Sequence, residues 1–203
     1  MASEIRRIAI LNRGEAAPRA LRAIRELRAE EDSDLVGIAL YTEPDATAVF
    51  VREADESISL GPALRAAASG AMRPAYLDHD RVLAALRATR ADAVWPGWGF
   101  LAEDPSFVEK LEAAEIHFLG PSAETMRRLG DKITSKRIAE AARVPVSPWS
   151  GGPVQRLELP GHAARIGFPV MLKATAGGGG RGIRMLNQGD DLLAAFDSAQ
   201  SEA

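Results

Sequence analysis

The chain has 203 residues, with 25 Lys and Arg against 28 Asp and Glu and a formal net charge of −3. That length suits one large domain or two small ones, and the composition is that of a globular protein rather than a disordered or fibrous one; the slightly acidic balance argues against a nucleic-acid binder, which carries basic patches. There is no cysteine, which excludes disulfides, thiolate metal sites and a cysteine nucleophile and fits a cytoplasmic location.

Neither end nor middle reads as a membrane segment. The apolar stretch Ile8 to Leu11 is too short for a signal-peptide core. The longest run free of Asp, Glu, Lys and Arg, Val144 to Gln155, is broken by prolines and polar residues. A membrane helix needs ~20 apolar residues.

In chain order, Ile5 to Leu11 predicts a strand, and Asn12-Arg13-Gly14-Glu15 a turn. Pro18 suits the first turn of a helix, whose apolar stripe is Ala17, Ala20, Leu21, Ile24 and Leu27, with Arg19, Arg22, Arg25 and Arg28 off it. Glu15 precedes this helix, where its charge favours the dipole. The acidic cluster Glu30, Glu31, Asp32 and Asp34 reads as a solvated helix end. Further strands are expected at Leu35 to Tyr41, Ile58 to Leu60, Ala93 to Trp95 and Ile116 to Leu119, with helices around Val82 to Leu86 and Phe107 to Leu111 between them. Asp78 and Asp80 read as helix-start residues. Strands separated by helices imply a parallel sheet, so residues 1–119 read as a doubly wound α/β domain.

Residues 120–146 read as a helical connector, with helices near 122–129 and 131–142 and no strand between them. A turn-rich stretch from Pro145 to Pro160 follows. Then come a short helix near His162 to Ile166, a strand at Pro169 to Lys173, a glycine run, a strand at Gly182 to Leu186 and a helix near Asp190 to Ala199. Residues 147–203 therefore open an α+β unit with too few strands to stand alone, and the chain reads as the front part of something longer. His79, His117 and His162 share no metal-ligand spacing, and His117 reads as a core or edge histidine of its strand.

Two segments carry chemistry. In Lys173-Ala174-Thr175-Ala176-Gly177-Gly178-Gly179-Gly180-Arg181-Gly182, four consecutive glycines free the backbone N–H groups to approach a phosphate. Lys173 and Arg181 set cations at both ends. Dinucleotide-binding loops run into a helix, whereas Ile183-Arg184-Met185-Leu186 reads as a strand, and no Gly-Lys pair exists for a Walker A loop. A strand–glycine–strand order suits a flap folding over phosphates, as kinase glycine loops do; the alternative is an exposed linker. In the second segment, Leu129-Gly130-Asp131-Lys132, Asp131 is a good N-cap, but Lys132 opposes the helix dipole. A bound anion accounts for that cation; a solvated surface lysine is the alternative.

Five pieces, in order, carry a resemblance. They are Ile8-Ala9-Ile10-Leu11-Asn12-Arg13-Gly14-Glu15, Trp95-Pro96-Gly97-Trp98-Gly99-Phe100-Leu101-Ala102-Glu103, Phe118-Leu119-Gly120-Pro121, Leu129 to Lys132, and Lys173 to Gly182. The chain resembles the N-terminal part of biotin carboxylase, the ATP-grasp component of biotin-dependent acyl-CoA, pyruvate and related carboxylases. The resemblance implies a pre-ATP-grasp domain over 1–119, a connector over 120–146 and an incomplete ATP-grasp B subdomain with its glycine-rich loop over 147–203. By position, Lys132 and Lys173 match the two lysines that hold ATP phosphates, and Gly179 and Gly180 the loop amides that close on them. It implies ATP with Mg2+ or Mn2+, bicarbonate, and transfer of carboxyl from carboxyphosphate to N1 of biotin on a carrier. The metals would neutralise phosphate charge. Biotin carboxyl carrier and carboxyltransferase domains are the implied partners, with a homodimer or larger assembly.

Two departures qualify the match. Free-standing bacterial biotin carboxylases usually carry His-Pro-Gly-Tyr-Gly where this chain has Trp95-Pro96-Gly97-Trp98-Gly99. With Pro148-Trp149-Ser150-Gly151, that is more like the large multidomain acetyl-CoA carboxylases. The family's adenine hinge, bicarbonate-binding residues, metal-binding glutamates and catalytic arginine lie beyond residue 203, so no catalytic or metal residue maps here and the chain alone is expected to lack carboxylase activity. A carbamoyl-phosphate-synthase-like ATP-grasp protein and a non-catalytic assembly module are the competing readings.

Overall fold

The structure, a computed structural model, describes residues 5–66, 70–174 and 182–202. The chain divides into two compact units, residues 1–126 and 127–203.

The first unit runs β1 (Arg7–Ile10), α1 (Ala16–Glu31), β2 (Val36–Tyr41), α2 (Val49–Glu53), β3 (Glu56–Ser59), β4 (Leu64–Ala66), β5 (Met72–Pro74), α3 (His79–Ala88), β6 (Ala93–Trp95), α4 (Pro105–Ala113) and β7 (His117–Phe118). Five of these strands form one parallel sheet in the order β3-β2-β1-β6-β7, as the alternation of strand and helix predicts. Helices bury both faces of the sheet, so its central strands read as unbroken apolar runs. Because side chains alternate along a strand, Ala9, Leu11, Ile38, Leu40 and Val94 meet α3 and α4 on one side. Ile8, Ile10, Ala39 and Ala93 meet α1 and Phe50 of α2 on the other.

The stripe of α1 is buried at Ala17, Ala20, Leu21 and Ile24 but not at its last expected member. Leu27 is 41% exposed. Glu15 makes no capping hydrogen bond and instead takes a 3.0 Å ion pair with Arg19 one turn on. The acidic helix end is exposed as expected, with Asp32 in a left-handed C-cap conformation. His117 lies exposed on the edge strand β7.

Aspartate side chains start several helices by accepting backbone N–H groups. Asp78 accepts from Arg81 at 3.2 Å, Asp104 from Ser106 and Phe107 at 2.9 and 3.1 Å, and, in the second unit, Asp131 from Thr134 at 2.6 Å. Asp104 also meets His79 Nε2 at 2.9 Å, which ties the start of α4 to the start of α3. Partial burial pushes the Asp104 carboxyl up, but hydrogen bonds from Ser106, the Phe107 amide and His79 outweigh it and hold the group below its ordinary value. Asp104→Ala is expected to cost about 0.5–2 kcal/mol, the usual worth of a cap. A depressed carboxyl stabilises the fold above the unfolded-state value and loses that contribution as pH falls through the folded one. The difference between wild type and variant in urea unfolding should therefore be full near neutrality and shrink in acid.

The second unit follows α5 (Ala123–Gly130), which straddles the division, and comprises α6 (Lys132–Ala141), α7 (Leu159–Ile166), β8 (Val170–Lys173), β9 (Ile183–Leu186) and α8 (Leu192–Ser201). Strands β8 and β9 form an antiparallel pair, with Val170 opposite Leu186, Met171 opposite Met185, Leu172 opposite Arg184 and Lys173 opposite Ile183. One face of this pair packs on α7 and α8 through Leu159, Ala163, Val170, Leu186, Leu192 and Phe196.

Candidate functional site

Two places combine exposed chemistry with a rigid frame, one in each unit.

In the second unit, Lys173 ends β8, at the point where the chain enters the glycine-rich segment. The Ala174 N–H donates to the Gly182 carbonyl at 2.9 Å, so the hairpin stays closed to the last residues described on either side. Side-chain alternation sorts the hairpin into two faces. Val170, Leu172, Arg184 and Leu186 turn toward the helices, and Arg184 pairs there with Glu202 and reaches Ser198. Met171, Lys173, Ile183 and Met185 share the opposite face and are exposed, Met171 at 53% and Met185 at 63%. A lysine at the end of an apolar strip is chemically suited to a ligand with a flat apolar body and an anionic tail. The sequence reading selects Lys173 but misses this strip. The register of the hairpin, invisible in the sequence, is what brings Met171, Ile183 and Met185 beside it. Gly179 and Gly180 lie outside the described residues, as does Arg181.

Lys132 is the first residue of α6 and is exposed. Asp131 caps the helix, and its hydrogen bonds from Thr134 hold its carboxyl below the ordinary value, with the Lys132 charge a smaller contribution. Helix α6 is fastened to the Pro148-Trp149-Ser150-Gly151 segment. Trp149 Nε1 donates to Glu140 at 2.6 Å, Lys136 Nζ stands 5.2 Å from the centre of the Trp149 ring, and Arg137 donates to the Gly151 carbonyl at 3.2 Å. A cation over an indole face is attractive, so Trp149 fixes the helix that carries Lys132. Lys132 and Lys173 belong to the same compact unit, one at a helix start and the other at a strand end.

In the first unit, β1 pairs with β2 on one side and β6 on the other. The direction of winding reverses there, which opens a crevice beyond the carboxyl ends of β1 and β6, the usual place for a ligand in such sheets. Asn12 and the Trp95-to-Gly99 turn fill it. Asn12 is 4% exposed. Its Nδ2 donates to the carbonyls of Pro96 and Trp98 at 2.7 and 2.9 Å, and its Oδ1 accepts from the Arg13 N–H at 2.8 Å. Gly97 has φ +61°, and a Cβ there would stand 2.8 Å from Asn12 Nδ2 and 2.9 Å from the Trp95 ring. This turn holds Trp98 with 60% of its surface exposed.

The loops that follow β1, β2 and β6 are also held by side chains. Arg13 grips Asp45 with two hydrogen bonds at 2.7 and 2.6 Å, which raises its pKa. Tyr76 stacks on Phe100 with ring centres 4.7 Å apart and donates to the Leu40 carbonyl at 2.8 Å; burial pushes its phenol well up. Asn12 was legible only as part of a turn. The polar residue directly after a buried strand was the available signal.

Among the described residues no three His, Asp or Glu side chains converge as a metal-ligand set, and no helix is long and apolar enough to cross a membrane.

Comparison with known proteins agrees with this division. A family model described as biotin carboxylase, N-terminal domain, matches residues 4–126, and one described as carbamoyl-phosphate synthase L chain, ATP binding domain, matches residues 131–203. A pyruvate carboxylase component of Methanothermobacter thermautotrophicus is 41% identical over 201 residues, which is 97% of this chain and 38% of that protein. Biotin carboxylase 1 of Bacillus subtilis is 38% identical over 200 residues, 98% of this chain and 42% of that protein. Among solved structures, a biotin carboxylase–β-γ-ATP complex from Campylobacter jejuni superposes with a TM-score of 0.85 at 41% identity, covering 98% of this chain and 42% of that one. The biotin carboxylase domain dimer of Hydrogenobacter thermophilus 2-oxoglutarate carboxylase, in complex with MgADP, ADP and bicarbonate, gives a TM-score of 0.81 at 35% identity, over 98% and 41% of the two chains. The chain thus spans about two fifths of the length of the relatives it matches. By sequence and by fold, this chain belongs to the biotin carboxylase family, whose N-terminal domain it carries in residues 4–126.

Proposed function

We propose that this chain is the N-terminal portion of the biotin carboxylase component of a biotin-dependent acyl-CoA carboxylase, a cytoplasmic ligase that carboxylates biotin with bicarbonate at the expense of ATP. Its own part is to hold the nucleotide. Residues 1–119 form the pre-ATP-grasp domain, 120–146 the connector and 147–203 the opening of the ATP-grasp B subdomain. The observation that carries this reading is the exposed hairpin face on which Lys173 continues the strip of Met171, Ile183 and Met185.

The apolar strip suits the base of ATP. Lys173 suits its phosphates, Lys132 supplies a second cation from the start of α6, and the Gly179 and Gly180 amides would close on the same phosphates. A lysine serves here as a compact charge on a flexible stem. The described residues supply no carboxylate set of the kind that holds Mg2+ or Mn2+, so no step is assigned to a metal within this chain. Biotin enters as the carrier-bound substrate of the whole enzyme, and biotin carboxyl carrier and carboxyltransferase domains are its partners. A homodimer is expected by analogy with the Hydrogenobacter domain.

Nucleotide titration followed by 31P NMR tests this reading. Weak, saturable ATP binding is expected, with the Kd rising at least about tenfold for Lys173→Ala and for Lys132→Ala, the loss of one charge-assisted contact each. No ATP response up to millimolar levels, or one unaltered by both variants, overturns it in favour of an assembly module.

A further inference from the structure

The β4–β5 hairpin contains a pairing that works against its own stability. Arg65 stands directly opposite Arg73 in the antiparallel register, so both side chains leave the same face of the hairpin. Like charges in that position destabilise a strand pair. Each strand has only three residues, and apart from the half-buried Pro74 they are exposed, so little packing offsets the repulsion. Among the described residues neither guanidinium makes a hydrogen bond or ion pair.

Both arginines line one cavity of about 290 Å³, together with Asp78, His79, Asp80 and Lys110. The acidic groups that face it are already engaged. Asp78 accepts from the Arg81 N–H at 3.2 Å as the cap of α3, and Asp80 accepts from Lys110 Nζ at 3.0 Å. His79 Nε2 is held by Asp104 at 2.9 Å. What remains uncommitted is the pair of guanidinium forks.

We propose that this cavity binds a phosphate-bearing anion, gripped by the uncommitted guanidinium groups of Arg65 and Arg73. A single carboxylate saturates one fork, whereas a phosphoryl group has three terminal oxygens and up to two charges to share between two forks. The bound anion would also neutralise the like-charge pair, which gives the hairpin a reason to keep both arginines. The site lies in the first unit, away in sequence from Lys132 and Lys173, and it stands whether or not the nucleotide reading does.

The test is calorimetric titration of inorganic pyrophosphate, and separately of glycerol 3-phosphate, into the 203-residue chain in phosphate-free buffer at low ionic strength. Saturable binding is expected, weakened about tenfold by Arg65→Gln and by Arg73→Gln, each compared in a Lys132→Ala/Lys173→Ala background so that phosphate held by those lysines does not enter the reading. Binding of pyrophosphate alone marks a free-anion site, and equal binding of the ester marks a phosphoester site. A second readout guards against a variant that merely perturbs the hairpin. Arg73→Gln should raise the low-salt Tm of the unligated chain and abolish the rise in Tm that pyrophosphate causes in wild type. Absence of saturable binding, or binding equal in wild type and both arginine variants, overturns the proposal.

Discussion

Phe107→Ala is expected to destabilise the first unit by about 3–5 kcal/mol, the range for truncating a buried aromatic residue. Phe107 is fully buried and sits where three features meet. Its N–H is one of those that Asp104 caps. Its ring lies 5.3 Å from that of His79. Its side chain belongs to the cluster of Leu11, Leu40, Val82, Leu86, Val94 and Leu111 that seals one face of the sheet. With helices on one side and strands on the other, the layer has little room to collapse into the space left. Urea unfolding followed by circular dichroism should show a lower midpoint with an unchanged m-value. A loss below about 1 kcal/mol, the size of one methylene's burial, would show that Phe107 does not hold the layer together.

Asn12→Ala is expected to cost about 2–3 kcal/mol and to loosen the Trp95-to-Gly99 turn. Removing the amide leaves the Pro96 carbonyl buried without a donor and takes a second from Trp98, and an unsatisfied buried polar group costs about 1–3 kcal/mol. Asn12→Asp should be worse, because it sets a carboxylate against two carbonyl oxygens in the same space. Gly97→Ala attacks the arrangement from the other side, since its Cβ would meet both Asn12 and the Trp95 ring at a positive φ. Hydrogen exchange reads the result at residue level. Amides of residues 95–101 should exchange faster in all three variants, and unchanged exchange there would show that Asn12 does not tether the turn.

Much of the fold was legible because its signals are periodic. The strands at Val36–Tyr41 and Ala93–Trp95 are apolar runs buried on both faces, and the stripe of α1 repeats every three or four residues. Short elements left no such trace. The β4–β5 hairpin, Leu64–Ala66 against Met72–Pro74, has no apolar alternation and ends in a proline, and α2 has five residues, too few to show a period. The same holds at the candidate site. Lys132 and Lys173 declare themselves by position, next to a cap and beside a glycine run. Met171, Ile183 and Met185 become neighbours only through the register of two strands joined across the glycine-rich segment. Asn12 likewise depends on a partner segment 84 to 86 residues away.

The five-stranded sheet also ends on margins that offer a passing chain little to pair with. At one border β3 shows Glu56, Ser57 and Ser59 to solvent, with Glu56 in an ion pair with Arg7; at the other, β7 is only two residues long. Short or charged borders of this kind discourage templated strand addition. Copies of this unit are therefore guarded against fusing into a continuous intermolecular sheet at those two borders.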